Sequence, residues 1–228
     1  MRLIEQLRMM ESKAQEELIE QVELTTPVEA VELLGFVKTM GSSFLKSATL
    51  QKVAEQNLAY ECRYEIMEFL EDPDPIVRVD AVEALEGVKD PYVLLRLVVL
   101  ALTDPSWLVR GWSTAALGES GEEKLKPVLG KIVRTDRSAF VCLNGWYALV
   151  WLGEDAAYSQ VLRFLDHTHY RIRVAACNLI LNLIESKKLK PKEITETLDL
   201  IRELIAREKV YSVREAMNEC IYNIKNSS

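Results

Sequence analysis

The sequence predicts an all-α fold of the α-solenoid type, and two observations lead to that prediction. First, residues 72–85 return almost intact as residues 104–117, 32 positions later. Both copies begin with Asp-Pro, carry Val-Arg five and six positions after the Asp, and end with Ala-Leu. Self-similarity at a fixed period of roughly 20–50 residues is typical of solenoid proteins. Second, no stretch alternates apolar and polar residues with a period of two, so no strand is expected.

The helices can be assigned in order along the chain. Residues 2–22 are rich in Glu, Gln, Leu and Met, lack Gly and Pro, and predict a polar N-terminal helix. Thr26-Pro27 opens the next helix, because Pro is favoured in a first turn, and residues 41–43 end it. The predicted pairs are 28–40 with 43–55, 57–70 with 75–86, 91–102 with 106–118, 123–134 with 138–152, 156–165 with 169–185, and 192–208 with 211–225.

The Arg of the repeated motif serves as an anchor that extends the repeat along the chain. Around each anchor, the residue before it and those three, six and seven positions after it are mostly apolar or small. This pattern predicts the buried stripe of an amphipathic helix. An insertion at residues 185–192 lengthens the last interval. The anchors are Lys46, Arg78, Arg110, Cys142, Arg173 and Arg214.

This pattern resembles the HEAT repeat, in the short bacterial form that also occurs in phycobilin lyase-like proteins. The resemblance is carried by Asp72, Pro73, Val77, Arg78, Ala84 and Leu85, and by their counterparts Asp104, Pro105, Val109, Arg110, Ala116 and Leu117. It covers roughly residues 28–225 and is sharp over residues 69–118. It implies a right-handed α-solenoid of about six HEAT-like helix pairs plus an N-terminal helix. The expected organisation is a single domain over residues 1–228, with residues 1–27 as an N-terminal cap.

In HEAT proteins the Asp and Arg of neighbouring repeats form a ladder along the stack. Cys142 stands where the third Arg is expected, which puts the ladder in doubt at that position. Elsewhere the Asp-Pro turns have a structural explanation, because Pro fixes the backbone near a helix start and Asp caps free amides. The resemblance implies a ladder of Asp72, Asp104, Asp136 and Asp166 with Arg78, Arg110, Arg173 and Arg214.

Composition and charge narrow the functional classes. A hydrophobic content of 49% and a mean hydropathy of −0.01 are typical of a soluble globular protein. The net charge of −7 disfavours a nucleic-acid partner, because such affinity depends on Lys and Arg that neutralise phosphates. The first residues lack the apolar run of a signal peptide, and the longest apolar run, residues 93–102, is too short to span a bilayer. We therefore expect a cytoplasmic protein without membrane contact, with four reduced core cysteines, Cys62, Cys142, Cys177 and Cys220.

Positions two, five and nine after each anchor form a second row along the second helix of each pair, away from the buried stripe. In a HEAT-like stack this second-helix row lines the concave surface. Its centre carries large aromatic side chains, with Trp107 and Trp146 beside it, and exposed aromatics mark binding surfaces. The competing interpretation places these rings in the core. The predicted partner-binding residues are Trp112, Tyr147, Trp151, Asn144, Asp80, Glu83, Glu119 and Asn178.

Residue types that carry catalysis or bind metals do not form a recognisable pattern. The sequence has no G-x-S-x-G, Gly-rich phosphate loop, HExxH or Cys–His pair at readable spacing. His167 and His169 are two positions apart, but a metal site needs three or four ligands. No catalytic residue, metal ligand or cofactor is therefore predicted.

The leading functional prediction is a non-enzymatic protein–protein interaction module, either an adaptor or scaffold, or a bacterial immunity-type protein that neutralises a cationic toxin. Aromatic anchors beside carboxylates suit a basic partner, because charge speeds the encounter and aromatics hold the complex. Two alternatives come from HEAT-like relatives. One is an alkylpurine DNA glycosylase, with Trp112, Trp151 and Asp80 holding the nucleotide. The other is a phycobilin lyase-like cofactor chaperone.

Overall fold

The computed structural model describes residues 3–226, except for the side chain of Ser12. The chain is helical throughout this range, and its described residues contain no β-strand. The helices are α1 (Leu3–Arg8), α2 (Ser12–Gln21), α3 (Pro27–Lys38), α4 (Ser43–Glu55), α5 (Arg63–Met67), α6 (Pro75–Ala84), α7 (Pro91–Thr103), α8 (Trp107–Glu119), α9 (Lys126–Thr135), α10 (Ala139–Trp151), α11 (Ala157–Arg163), α12 (Tyr170–Glu185), α13 (Pro191–Arg207) and α14 (Tyr211–Asn226). Short 3-10 segments follow α5 and α11 and precede α9. The predicted all-α fold of the α-solenoid type is confirmed.

Helix starts follow the local sequence. Before α3, the Thr26 hydroxyl accepts a hydrogen bond from the Glu29 amide at 3.3 Å, and the Glu29 carboxylate accepts one from the Thr26 amide at 3.1 Å. Asp74 before α6 and Asp90 before α7 each cap a helix that begins with Pro. A cap of this kind contributes about 1 kcal/mol, which makes these turns strong helix starts.

The chain forms two compact units, which meet in sequence within α8. The first unit ends at Ala116 and the second begins at Leu117. In the first unit, α4 packs against α2 and α6, while α5 packs against α3 and α7. Second helices therefore neighbour second helices and first helices neighbour first helices, as expected of stacked helix pairs. The predicted stripe around Arg78 is confirmed, because Val77, Ala81, Ala84 and Leu85 are all buried.

The predicted N-terminal helix over residues 2–22 is interrupted. Residue 2 lies outside the described residues, and the remainder forms α1 and α2 with a break at residues 9–11. The break allows Leu7 and Ile19 to be fully buried, and the Gln15 side-chain amide donates to the Leu7 carbonyl at 2.8 Å. That bond satisfies one of the carbonyls that a helix end leaves without a partner. Because α1 packs on α3 and α2 on α4, the segment continues the pairing of the repeats.

Two first helices are shorter than predicted. The segment predicted as a helix over residues 57–70 begins with turns, and only then forms α5 and a 3-10 segment, Glu68–Glu71. Asn57 adopts φ 58°, which ends α4, and the Leu58 amide bonds back to the Val53 carbonyl at 3.0 Å. The helix predicted over residues 156–165 likewise divides into α11 and a 3-10 segment, Phe164–Asp166.

In the second unit, α10 packs against α9, α11 and α12, and α14 packs against α12 and α13. The end of α8 lies very close to α10, at Gly118. A Cβ atom at this position would lie 2.5 Å from the Ala148 Cβ and 2.9 Å from its carbonyl oxygen. Only glycine permits this approach, because it carries no side-chain carbon.

Anchor residues of the first unit join their own turn to the next repeat. Arg78 donates to the Asp72 carbonyl at 2.8 Å and forms a bidentate pair with the Asp104 carboxylate, at 2.9 and 2.8 Å. Lys46 pairs with the Asp72 carboxylate at 2.7 Å. Arg110 donates to the Asp104 carbonyl at 2.9 Å, as Arg78 does to its own turn. The implied ladder is thus confirmed at Arg78 and Asp104.

The ladder of the second unit uses a different acid from the one implied. Arg173 pairs with both carboxylate oxygens of Glu208, at 2.7 and 2.9 Å. Asp166 instead forms an exposed pair with Arg207 at 3.1 Å. The reason is register, since Glu208 lies six residues before its anchor, as the ladder aspartates do, whereas Asp166 lies seven before Arg173.

Cys142 replaces the anchor arginine with a much shorter side chain. Its thiol lies 3.4 Å from the Asp136 carbonyl, the same type of turn oxygen that Arg78 binds in its own repeat. A thiol is a weak donor without charge. The contact with the turn is therefore kept at Cys142, while a guanidinium for ion pairing is missing.

Candidate functional site

The eight predicted partner-binding residues are divided between the two units. Asp80, Glu83 and Trp112 belong to the first unit, and Glu119, Asn144, Tyr147, Trp151 and Asn178 to the second. The expectation that the row faces solvent is wrong for three of them, since Tyr147 and Asn144 are 1% exposed and Asp80 is 8% exposed. Asn178 is exposed, and Glu83, Trp112, Glu119 and Trp151 are half-buried.

The Tyr147 ring belongs to the core of the second unit. Its hydroxyl donates a short hydrogen bond to the Glu119 carboxylate, and the Asn182 amide oxygen lies 2.8 Å away from it. The phenol therefore joins the end of α8 to α12 across α10. Asn144 is also internal, and its side-chain amide donates to the Phe140 carbonyl of its own helix at 2.8 Å. These contacts explain why two row positions are covered.

Trp151 lies at the surface on a rigid support. Its ring meets Tyr147 edge to face, with the centroids 6.3 Å apart. The Lys188 ammonium lies 4.2 Å from the centroid of the indole ring. Lys187, at φ 54°, forms the turn that ends α12 and carries Lys188 to this position. The basic residues after α12, which the sequence suggests to be a solvated loop, thus place one cation on the indole face.

The carboxylate beneath this platform is electrostatically perturbed. Burial raises the pKa of Glu119, and the hydrogen bond from Tyr147 opposes that effect. Burial also raises the pKa of Tyr147, and the neighbouring Glu119 charge adds to the increase. The phenol is therefore neutral at physiological pH and acts as a hydrogen-bond donor. A buried network of this kind restricts the motion of the groups that it joins.

A second feature lies in the first unit, in a cleft of about 600 Å³ that is bordered by α2, α4 and α6. We call it the α4–α6 cleft. Its lining includes Phe44, Ala48, Gln51 and Glu55 of α4, Ile76 and Asp80 of α6, and Glu20 of α2. Ala48, Gln51 and Glu55 occupy the row positions that follow the anchor Lys46. Applying the row rule one repeat earlier would have identified them from the sequence.

Asp80 is the predicted site residue that this cleft contains. Its Oδ2 atom is buried and has no hydrogen-bond partner among the described residues. Glu83 lies one helical turn further along α6 and is half-buried. Burial raises the pKa of Glu83, and the negative charge of Asp80 adds to it. The two carboxylates thus concentrate negative charge on this part of α6.

The two histidines have structural roles in the turn before α12. The Nδ1 atom of His167 accepts a hydrogen bond from the His169 amide at 3.1 Å, and the His169 Nδ1 atom accepts one from the Arg171 amide at 3.3 Å. His167 occupies the turn position that Asp72 and Asp104 hold in other repeats. Within residues 3–226, no group of three or more His, Cys, Asp or Glu side chains is arranged to hold a metal ion.

The four cysteines are free thiols, as predicted, and all except the half-buried Cys142 are buried. Burial raises the pKa of Cys62 to about 11, with a further contribution from Glu65 and Glu61. Such a thiol is almost entirely protonated at neutral pH and is a poor nucleophile. Across the part of the chain that the structure describes, no helix is both long and apolar enough to cross a membrane.

Comparison with known proteins agrees with the repeat pattern. Residues 65–149 match the protein family described as HEAT repeats. The matched stretch extends from α5 to α10 and contains both clear copies of the motif. A search of curated proteins finds no match to the chain.

Proposed function

The chain belongs to the HEAT-repeat family, and from that premise we propose that it is a non-enzymatic module that binds a protein partner with a basic surface. HEAT repeats generally mediate protein–protein interactions. The proposed contact surfaces are the solvent-accessible members of the second-helix row in each unit. In the second unit these are Glu119, Trp151 and Asn178, and in the first unit Glu83 and Trp112.

The single observation that carries this proposal is the support of Trp151. Binding hot spots are enriched in Trp and Tyr, and a side chain that is already fixed loses little entropy when a complex forms. Trp151 meets these conditions because Tyr147 packs against its ring and is itself held by Glu119 and Asn182. A half-buried indole with a fixed orientation is well suited to anchor a partner.

The basic character of the partner is supported by charge. The chain carries a net charge of −7, so a cationic partner is attracted over the distance of a Debye length. The indole face of Trp151 already accepts the ammonium of Lys188. Lys188 is exposed in a turn, so a partner's Lys or Arg can take its place through the same cation–π attraction.

Alanine substitution of Trp151 tests the proposal. The tagged chain is used to purify its partner from the source organism, and the partner is identified by mass spectrometry and produced separately. We expect the Trp151→Ala variant to bind it at least about 30-fold more weakly by calorimetry, as for a typical hot spot. The identity of the partner distinguishes an adaptor from an immunity-type protein, because only the latter neutralises a toxin.

The matched control is Tyr211→Ala. Tyr211 is an aromatic residue of the same unit that is 75% exposed and lies outside the second-helix row. We expect this variant to bind with unchanged affinity. Circular dichroism melting of both variants confirms that they are folded. Equal affinities of the folded Trp151→Ala variant and the wild type would refute the proposed role of Trp151.

A further inference from the structure

We propose that the α4–α6 cleft is a pocket for a lysine or arginine side chain of the partner, with Asp80 as its counter-charge. This inference rests on the proposed function and specifies which chemical group the first unit recognises. It concerns only residues of the first unit, and so it can be tested separately from the Trp151 surface.

The strongest indication of a ligand is the state of Asp80. The residue is 8% exposed, and its Oδ2 atom lacks a hydrogen-bond partner among the described residues. A buried polar atom without a partner is destabilising, and such atoms need an explanation in a folded protein. A cationic side chain in the cleft would donate to this oxygen and neutralise its charge. The pocket is therefore incomplete without a donor.

The charges around the cleft favour a cation. Glu20, Glu55, Asp74 and Asp80 contribute four carboxylates, against one ammonium from Lys52. Lys52 is itself paired with Glu55 at 3.3 Å, and Asp74 caps α6 through the Ile76 amide at 2.9 Å. Glu20 and Asp80 remain to bind a ligand. Two carboxylates are too few for a calcium or magnesium site, which favours an ammonium or guanidinium group.

The apolar part of the cleft indicates that the cation belongs to a protein. Phe44 and Ile76 line it and are 48% and 51% exposed. Lys and Arg bury their aliphatic stems against such surfaces while the charged group reaches a polar partner. Exposed apolar groups beside the charged site would be covered by the rest of a protein partner. A free diamine would leave most of that surface in water.

The pocket is tested by nuclear magnetic resonance titration of the full chain with capped tripeptides. The probes are acetyl-Ala-Arg-Ala-amide, its lysine and norleucine counterparts, and the free diamine cadaverine. We expect saturable amide shifts in α4 and α6 with the two cationic peptides, and none with the norleucine peptide, which lacks only the charge. Equal binding of the norleucine peptide would overturn the proposal, as would cadaverine binding more tightly than either cationic peptide.

Two variants and one control complete the test. Asp80→Asn keeps the size of the side chain and should weaken binding of the arginine peptide at least about tenfold, the loss expected for a charged hydrogen bond. Ala48→Met fills the cleft and should weaken binding without changing any charge. The control, Glu61→Gln, removes an exposed carboxylate of the same unit and should bind as the wild type does. Amide spectra confirm folding of each variant.

The outcomes separate this inference from the proposed function. If Asp80→Asn binds the arginine peptide as tightly as the wild type does, the pocket assignment is wrong, whatever the effect of Trp151→Ala on partner binding. If the peptide binds in an Asp80-dependent manner, the pocket assignment holds, and the partner measurements alone then decide the proposed function.

Discussion

Glu119 illustrates how one carboxylate of the second-helix row links stability to pH. Burial raises its pKa above the ordinary value of 4.5, so the folded protein holds this proton more tightly than the unfolded chain does. Folding stability from such a group is present at acidic pH and decreases as pH rises through the raised pKa. The cost at neutral pH is that of a partly desolvated negative charge.

Replacement of Glu119 by Gln removes this charge and keeps an oxygen that can accept the Tyr147 hydrogen bond. We expect the variant and the wild type to be equally stable below pH 4.5, where Glu119 is protonated in both states. As pH rises above that value, the variant should become progressively more stable than the wild type. Urea denaturation across a pH series measures the difference. A variant that is less stable at neutral pH would show that the charged hydrogen bond outweighs burial.

The packing of α8 on α10 depends on Gly118. Alanine at this position would place its methyl group against the backbone and side chain of Ala148, so α10 would have to move. Overpacking costs about 1–3 kcal/mol, and the better helix propensity of alanine recovers at most about 1 kcal/mol. We expect Gly118→Ala to lower the free energy of unfolding by about 2 kcal/mol, measured by urea denaturation.

Gly35 supplies the matched control. It is also helical, within α3, but no atom lies within 4 Å of a Cβ at that position. Gly35→Ala should therefore raise the free energy of unfolding by about 0.5–1 kcal/mol through helix propensity alone. If both alanine variants changed stability in the same direction, close packing would not be the reason for the glycine at position 118.

The ladder joins successive repeats of the first unit through buried charges. The side chains of Arg78 and Asp104 are only 11% and 4% exposed, and they pair through two nitrogen–oxygen contacts. Removing one member leaves the other as an uncompensated buried charge, at a cost of about 3–5 kcal/mol. Asp104→Ala should lower the free energy of unfolding by about this amount, measured by chemical denaturation.

Asp166→Ala serves as the comparison for the ladder variant. Asp166 also pairs with an arginine, Arg207, but the two side chains are 63% and 59% exposed. Solvent screening limits such a pair to about 0–1 kcal/mol. Similar losses of stability in the two variants would mean that burial does not set the strength of the ladder.

Across the whole molecule, the features that depend on short stretches of sequence were predictable. Asp74, Asp90 and Thr26 begin helices because each offers an oxygen to free amides in a turn that also contains Pro. The anchors follow from the repeat, and Arg78 meets Asp104 as the resemblance implies. Where the register was misread by one residue, at Asp166 in place of the position six before the anchor, the predicted ladder partner was wrong.

The candidate site was predictable only in part. The row rule selected Trp151 and Asp80, which the structure places on an aromatic platform and in a cleft. It could not show that Tyr147 is covered, because the angular position of a residue on its helix does not determine the distance to the next helix. It also passed over Phe44 and Gln51, because the row was read only from Arg78 onwards.

The sequence by itself determined the helical class, the helix starts and the anchors, because these depend on local periodicity, turn chemistry and a repeat that can be read directly. Only the tertiary structure decided which row residues reach solvent. That outcome depends on how closely neighbouring second helices pack, which distant residues control. In the second unit, Gly118 brings the end of α8 onto α10, where Glu119 covers the Tyr147 hydroxyl. In the first unit, α2, α4 and α6 instead leave a cleft that Asp80 lines.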